Sequence, residues 1–192
     1  MKFKLKRILK YKNFFLFILF LILWAILFSQ IDLSALADKF SARGAYIVIF
    51  LVALFGGVSV LTSSSYLATL VVLSLGPANP YLLALSAGTA LTLGDSLFYF
   101  FGTRGRRSLP PSLAVRLEHI ADWLDDRSRT FVSFLVYVYT GFTPLPADIL
   151  MLLASFANYP LRKIIIPLYL GNITLVFVIY HLVQAGVDFA GA

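Results

Sequence analysis

The stretch TGFTPLPADI, residues 140–149, lies near the middle of an apolar run that extends from Phe131 to Ala157. It carries two prolines, a glycine, two threonines and an aspartate. Proline and glycine disfavour the interior of a helix. Non-helical backbone at membrane depth is tolerated only where protein buries it or where it lines a wet cavity. The stretch therefore predicts an interruption inside a membrane-embedded segment.

The composition of the whole chain is that of an integral membrane protein. Hydrophobic residues make up 60% of the 192 residues, charged residues make up 13%, and the mean hydropathy is +0.88. A soluble domain carries about 25% charged residues. The chain contains no cysteine, which excludes disulfides, thiolate catalysis and cysteine-based metal sites.

Basic residues cluster in residues 2–12 and 104–129, and the net charge is +7. Beside apolar segments, such clusters are typical of cytoplasmic flanks that face anionic lipid. We therefore expect membrane lipids and no nucleic acid as partners, and a cytoplasmic N-terminus in a bacterial or archaeal plasma membrane. The triplet Ala35-Leu36-Ala37 lies well beyond the apolar run 14–28, so we expect a retained first helix rather than a cleaved signal peptide.

Four apolar segments reach the length of about 17 to 20 residues that a spanning helix needs. They are Asn13–Ile31, Ala45–Leu61, Tyr81–Gly102 and Ile164–Val187. Three further apolar pieces are shorter and favour re-entrant arms. They are Tyr66–Leu75, Phe131–Tyr139 and Ile149–Ala157.

The positive charges constrain the path of the chain. The basic N-terminus and residues 104–129 are expected inside, with one clear crossing at Tyr81–Gly102. Residues 45–75 must then enter and leave on one face, with a turn at the polar residues 61–66. The same reasoning makes residues 131–159 a second hairpin, which turns at residues 140–148.

The two halves repeat one order of elements from opposite faces: a hairpin, a proline-marked turn and a spanning helix. The turns fall at residues 76–80 and 158–160, and the spanning segments carry Gly94-Asp95 and Gly171-Asn172 in similar places. An inverted repeat with interrupted segments predicts a transporter-like site near the bilayer midplane. The alternative is six ordinary helices with an imperfect charge bias.

We therefore expect an all-α integral membrane protein with three to four transmembrane helices and two opposed re-entrant helical hairpins. Apolar residues at helical spacing over residues 112–129 add one amphipathic helix on the cytoplasmic face. Residues 1–44 form the basic N-terminus, first helix and linker. Residues 45–192 form the membrane domain.

Polar residues at the two hairpin tips are the candidate substrate-binding residues, because tips entering from opposite faces meet at mid-depth. Asp95 joins them, since an ionised carboxylate inside a membrane is costly and points to function. Alternatively, the hydroxyls bond back to helix carbonyls, and Asp148 caps the helix that follows it. The candidates are Thr62, Ser63, Ser64, Ser65, Asp95, Thr140, Thr143, Pro144, Pro146 and Asp148.

Other polar residues have weaker assignments. His181 is a candidate proton relay or a hydrogen-bonded packing residue. Arg104, Arg106 and Arg107 are candidate headgroup contacts or interfacial anchors. No catalytic constellation, phosphate-binding loop or metal-ligand spacing is present, so we expect no enzyme, no metal and no cofactor.

The run Gly94-Asp95-Ser96-Leu97-Phe98-Tyr99 and its continuation to Gly105 resemble a stretch of the DedA family, which carries the VTT or SNARE-associated Golgi protein domain. Residues 139–148, 160–163 and 171–172 resemble the second hairpin of that family and the helix that follows it. The resemblance covers residues 45–187. It implies two facing re-entrant hairpins and a link to lipid movement between leaflets, including polyprenyl-phosphate carriers and phospholipids, with protons used by some members.

The chain departs from that family at both hairpins. Many members carry an acidic residue in the first hairpin, where this chain has residues 62–65. Many carry arginines in the second hairpin, at positions that fall on Gly141 and Ala147 here. The acid–arginine machinery of those members is therefore not carried over, and Asp148 is the nearest charged substitute.

These observations predict a lipid transporter or scramblase that moves the headgroups of phospholipids or polyprenyl-phosphates between leaflets. A proton- or ion-coupled transporter of small solutes that uses Asp148, Asp95 and His181 is the first alternative. A non-transporting scaffold whose amphipathic helix recruits partners is the second. A homo-oligomer is left open.

Overall fold

The structure is a computed structural model that describes residues 42–56, 60–105, 115, 119–120, 122–124, 126–143 and 147–191. All regular secondary structure in these ranges is helical, as predicted. The expected first spanning segment, Asn13–Ile31, lies outside them. The helices are α1 Ala42–Gly56, α2 Val60–Leu75, α3 Pro80–Gly105, α4 Arg129–Phe142, α5 Ala147–Phe156 and α6 Leu161–Gly191.

Helices α3 and α6 are the two long helices, with 26 and 31 residues, and both are apolar enough to cross a membrane. At 1.5 Å per residue they extend about 39 and 46 Å, whereas the hydrocarbon core of a bilayer is about 30 Å thick. They contain the predicted segments Tyr81–Gly102 and Ile164–Val187. The other four helices have 10 to 16 residues, too few to span on their own.

The first hairpin breaks at a different place from the one that the sequence indicated. Helix α1 ends at Gly56 and α2 begins at Val60, so the expected spanning segment Ala45–Leu61 is not one helix. The expected turn at residues 61–66 is also wrong, because that stretch is helical. Serine and threonine can stay in a helix by bonding back to its carbonyls, so polarity at these positions does not interrupt it.

The second hairpin breaks inside the stretch predicted to interrupt it. Helix α4 ends at Phe142 and α5 begins at Ala147. Thr143 follows α4 with extended backbone angles of φ −111° and ψ 135°, and its N–H donates to the Tyr139 carbonyl oxygen. The Thr143 hydroxyl donates to the same carbonyl oxygen. These bonds satisfy one of the carbonyls that a helix end leaves unpaired.

Two short connectors join the hairpins to the long helices at the predicted turns. Before α3, the Asn79 Oδ1 atom accepts from the N–H groups of Tyr81 and Leu82 at 3.0 and 3.3 Å, which makes Asn79 the N-cap. Pro80 takes the first helical position, where proline fits best.

The connector before α6 ends the preceding helix in a Schellman motif. Asn158 adopts a left-handed conformation with φ 59°. The Tyr159 N–H donates to the Ala154 carbonyl oxygen at 2.8 Å, and the Asn158 N–H donates to that of Ser155 at 3.2 Å. Asparagine tolerates this conformation better than most other residues that have a side chain.

The helices pack in a pattern that relates the two halves. The long helices α3 and α6 pack against each other, α1 packs on α3, and α4 packs on α6. The second short helix of each half packs on the long helix of the other half: α2 packs on α6, and α5 packs on α3. Tyr81 near the start of α3 contacts Phe177, and Tyr99 near its end bonds to Tyr159 just before α6. The two long helices are therefore antiparallel.

Two tyrosines make equivalent contacts at opposite ends of the long helices. The Tyr99 hydroxyl donates to the Tyr159 carbonyl oxygen at 2.9 Å, and the Tyr180 hydroxyl donates to that of Ala78 at 3.4 Å. Tyr99 and Tyr180 are 81 residues apart, and so are Ala78 and Tyr159. Each tyrosine thus ties one long helix to the connector that precedes the other.

The hydrophobic core is divided into two clusters. The first cluster joins α1, α2, the first half of α3 and the second half of α6, with Ile49, Leu70, Leu83 and Val176 at its centre. The second cluster joins the end of α3 with α4, α5 and the start of α6. Its members include Phe98, Val136, Met151, Ile164 and Leu168.

The predicted amphipathic helix is shorter than expected. The described residues 115, 119–120 and 122–124 are helical, but a turn follows at Asp126 and α4 begins at Arg129. The Ser128 Oγ atom accepts from the Phe131 N–H at 3.2 Å and caps α4, so Ser128 and Arg129 belong to the start of the next element. The Asp126 N–H still donates to the Asp122 carbonyl oxygen at 3.0 Å, so Asp126 belongs to the end of the preceding helical turn. Trp123 is exposed, as suits an interfacial position.

Candidate functional site

A layer of buried polar side chains lies between the two hydrophobic clusters, and we call it the polar layer. On α3 it falls between Ala90 of the first cluster and Phe98 of the second; on α6 it falls between Leu168 and Val176. The two aspartates of this layer are the only buried charged residues in the part of the chain that the structure describes. The polar layer consists of Thr92, Asp95, Thr140, Asp148 and Asn172.

Asp95 and Asn172 connect the two long helices directly. The Asn172 Nδ2 atom donates to Asp95 Oδ2 at 2.9 Å and to Thr92 Oγ1 at 3.1 Å. Thr92 donates its own hydroxyl hydrogen to the Gly88 carbonyl oxygen at 2.8 Å, so its oxygen can only accept from Asn172. This fixes the orientation of the amide, because Asn172 must turn its NH₂ group towards Asp95.

Asp148 lies in the first turn of α5, and only 7% of it is exposed. Its carboxylate interacts with the backbone N–H groups of Asp148 and Ile149, where the helix dipole favours negative charge. Helix α5 begins at Ala147, so Asp148 is not the residue before the helix that a cap requires. Its Oδ1 atom has no hydrogen-bond partner among the described residues, and the carboxylate interacts electrostatically with Asp95.

Thr140 sits where α4 crosses α6. Its hydroxyl donates to the Val136 carbonyl oxygen at 2.9 Å, which is the back-bonding expected for a threonine in a helix. A Cβ atom added to Gly171 would lie 1.9 Å from Thr140 Oγ1, and one added to Gly141 would lie 3.4 Å from Gly171 Cα. Small residues therefore permit the close approach of α4 and α6, and bring Thr140 against Gly171, the residue before Asn172.

The remaining candidates lie outside this layer or outside the described residues. Thr143 is half-buried at the break of the second hairpin. Arg104 is exposed in the last turn of α3. The backbone of residues 62–65 is helical, but their side chains are not among those described, and neither are the residues Pro144, Pro146, Arg106 and Arg107. Their assigned roles stay predictions.

His181 lies on the exposed surface of α6. Its ring packs against Phe177 and Tyr180, with centroid distances of 4.6 and 5.5 Å. It is nine residues beyond Asn172, about 14 Å along the helix axis. A proton relay from His181 to the aspartates would have to bridge that distance and remains a prediction.

Two members of the polar layer, Thr92 and Asn172, were not among the candidates from the sequence. Asn172 did carry a signal, because Gly171-Asn172 matches Gly94-Asp95 in the second half of the chain. Asp95 and Asn172 are 77 residues apart in the sequence, whereas the equivalent tyrosines Tyr99 and Tyr180 are 81 residues apart. The difference of four residues is about one helical turn. They are therefore contact partners rather than equivalent positions.

The chemistry of the layer is that of an acceptor-rich, acidic site between antiparallel helices. No group of three or more His, Asp or Glu residues suited to a metal ion occurs within the described ranges. Comparisons of the chain with protein families, with curated proteins and with solved structures found no match.

Proposed function

We propose that this protein is an integral membrane lipid transporter that lets polar headgroups pass between leaflets along the polar layer, while the acyl tails remain in the bilayer. We propose further that the chain is related to the DedA family, which it resembles. It would lie in a bacterial or archaeal plasma membrane, with its N-terminus in the cytoplasm. The observation that carries it is the polar layer itself, placed at mid-length of two antiparallel helices that are long enough to span.

The outer surface supports a membrane location. Tyr81, Phe134, Ile166 and Leu182 are each more than 60% exposed, on α3, α4 and α6. Large apolar side chains spread over most faces of a helical protein are unfavourable in water and favourable against lipid. In a membrane, the ends of the short helices would leave unpaired backbone groups, which are tolerated only where protein buries them or where they line a water-filled cavity.

The second hairpin supports a lipid as the substrate. Phe142, which is 57% exposed, and half-buried Thr143 border its break, so the end of α4 beside the interruption reaches the outer surface. Asp148 and Thr140 lie just behind it on α5 and α4. A headgroup entering at this break would meet polar atoms at a depth where hydrocarbon alone would impose a desolvation cost of several kcal/mol.

Leaflet exchange in reconstituted vesicles tests this function. The full chain would be inserted into phosphatidylcholine vesicles that contain a trace of acyl-labelled fluorescent lipid, and dithionite would quench the label on the outer leaflet. We expect the inner-leaflet label to become accessible faster than in protein-free vesicles. Equal rates with and without the protein would reject lipid transport.

Proton- or ion-coupled transport of a small solute is the second candidate. The unpartnered Oδ1 atom of buried Asp148 favours it, because a proton or a cation would satisfy that oxygen. The test is uptake into vesicles under an imposed pH gradient. Gradient-driven uptake that disappears in Asp148→Asn supports this candidate, and uptake that ignores the substitution counts against it.

A further inference from the structure

We propose that one end of this molecule is a docking surface for anionic phospholipids, which bind there as neighbours of the protein and not as its cargo. These lipids would bind whether or not the protein transports lipid, so the inference goes beyond the proposed function. We call the end where α3 finishes and where α4 and α6 begin the basic end. Three features lead to this inference: the distribution of charge, the exposed apolar side chains beside the bases, and the aromatic rings beneath two of the cations.

Three helix ends meet at the basic end. The Tyr99 hydroxyl near the end of α3 donates to the Tyr159 carbonyl oxygen just before α6. The second hydrophobic cluster joins Val132 near the start of α4 to Ile164 near the start of α6, and Leu124 packs against it. The helical turn at Leu124 therefore lies at the same end as these three helix termini.

The charges of the described residues are divided unequally between the two ends of the molecule. The opposite end carries Arg43 in the first turn of α1 and Asp188 near the end of α6, which have opposite charges. The basic end carries two acids, Asp122 and Asp126, and five bases. These bases are Arg104, Arg127, Arg129, Arg162 and Lys163. An excess of positive charge at one end attracts a leaflet that contains anionic lipid.

Exposed apolar side chains lie beside the bases, towards the middle of the molecule. On each of α3, α4 and α6, they fall within five residues of a base. A phospholipid has the same order of groups, a charged phosphate followed by acyl chains, so it complements this surface along its length. A soluble polyanion would satisfy the bases and leave the apolar side chains in water, which is unfavourable. These side chains are Phe100, Phe101, Phe131, Phe134, Ile165 and Ile166.

Two of the bases lie over aromatic rings. The Arg127 guanidinium carbon is 5.2 Å from the centre of the Trp123 ring, and Lys163 Nζ is 5.0 Å from that of Tyr159. Trp123 is exposed and packs edge-on against Phe131, with ring centroids 6.4 Å apart. Exposed tryptophan favours the headgroup level of a bilayer, so this contact holds Arg127 at the depth of the lipid phosphates.

Quenching of tryptophan fluorescence by brominated lipids tests the inference. The chain has two tryptophans, so Trp24→Phe leaves Trp123 as the reporter at the basic end. The full chain would be reconstituted in phosphatidylcholine vesicles that contain the same fraction of brominated phosphatidylglycerol or brominated phosphatidylcholine. We expect Trp123 to detect at least about fivefold enrichment of the anionic lipid, which is the attraction of one base near an anionic surface. Raising the salt concentration to about 1 M should reduce the enrichment by screening.

A reporter at the opposite end is the spatial control. Tyr81→Trp, in a chain that also carries Trp24→Phe and Trp123→Phe, places tryptophan near the start of α3 at a position that is 66% exposed. We expect the two brominated lipids to quench this reporter equally. The same enrichment at both reporters would overturn the inference. Equal quenching of Trp123 by the two lipids would also overturn it, and would leave the bases to a soluble acidic partner.

Charge variants separate attraction from misfolding. Arg127→Gln with Arg129→Gln should lower the enrichment at Trp123 at least about twofold, whereas Arg127→Lys with Arg129→Lys keeps the charge and should retain most of it. Arg43→Gln removes a base from the opposite end and should leave the enrichment unchanged. Each variant must elute as wild type does in gel filtration, and quenching by brominated phosphatidylcholine gives its own reference for the accessibility of the ring. Full enrichment in the glutamine variant would overturn the assignment of these bases.

Discussion

At the scale of single residues, the geometry around Asp95 shows how a carboxylate is kept inside an apolar bundle. Asn172 supplies the hydrogen bond, and Thr92 holds the amide in the orientation that makes this possible. Asp148 has no such side-chain partner among the described residues and interacts instead with the N–H groups at the start of its own helix. The two aspartates thus differ in their surroundings: Asp95 is held by a neighbouring helix, and Asp148 Oδ1 has no hydrogen-bond partner among the described residues.

Replacing Asn172 with leucine should destabilise the protein. The change removes the donor to Asp95 and leaves a buried carboxylate oxygen unpaired, which lowers the free energy of unfolding by about 1–3 kcal/mol. Thermal unfolding in detergent would measure this. Thr103→Val is the matched control, because its exposed hydroxyl bonds only to the Phe100 carbonyl oxygen within its own helix. Equal midpoints for Asn172→Leu and the wild type would contradict the assigned bond.

At the scale of helices, the crossing of α4 over α6 depends on Gly171 and Gly141. Their lack of side chains lets the two backbones approach, as small residues do at helix interfaces in membranes. The crossing places Thr140 against Gly171, the residue before Asn172. The geometry of the site is therefore set by residues that carry no functional group themselves.

Gly171→Ala should weaken that crossing. Its new Cβ atom would lie 1.9 Å from Thr140 Oγ1 and 3.1 Å from the Tyr137 carbonyl oxygen, so the helices must separate, at a cost of about 1–3 kcal/mol. Gly186→Ala meets nothing within 4 Å and should leave stability unchanged or slightly raised, because alanine favours a helix. Thermal unfolding of both variants, with partial rescue of Gly171→Ala by Thr140→Ala, gives the test. Equal destabilisation by the two glycine changes would argue against the close crossing.

The two tyrosine contacts are equivalent in position but not in strength. Tyr99 is buried and bonds to Tyr159 at 2.9 Å, whereas Tyr180 is half-buried and bonds to Ala78 at 3.4 Å. Tyr99→Phe should therefore lower the unfolding free energy by about 1 kcal/mol and Tyr180→Phe by less. Chemical or thermal unfolding of the two variants side by side measures the difference. A larger loss of stability in Tyr180→Phe than in Tyr99→Phe would show that the two ends of the long helices are not packed as described.

At the scale of the whole molecule, the fold is two similar halves that exchange their second hairpin arms. The exchange buries α2 against α6 and α5 against α3, so neither half has a complete core alone. The antiparallel long helices place the two connectors at opposite ends of the molecule. In a membrane this arrangement would expose the connectors on opposite faces.

Single cysteines can test that topology, because the chain has none of its own. We expect Pro77→Cys in the first connector and Arg162→Cys after the second to react with an impermeant reagent from opposite faces. Val115→Cys should react from the same face as Arg162→Cys. All three positions are exposed. Labelling of positions 77 and 162 from one face would contradict antiparallel long helices that cross the membrane.

The sequence by itself determined the helical class, the long helices, both connectors and the break in TGFTPLPADI, because each depends on local properties. Apolar length and composition indicate helices long enough to span, and proline or asparagine marks where helices begin and end. The sequence did not indicate in the same way where the helices of the first hairpin begin and end. Hydroxyl residues look like an interruption by polarity, yet serine and threonine can fit a helix by bonding to its carbonyls.

Only the tertiary structure decided which polar residues meet. Asp95 was a candidate from its charge, but Asn172 and Thr92 became its partners because α3 and α6 cross at that depth. The contact joins positions far apart in the chain, and hydrophobic periodicity carries no information about such a contact. The close approach at Gly171 and the open oxygen of Asp148 likewise depend on how separate helices pack, since burial is a property of the assembled fold and not of the residue.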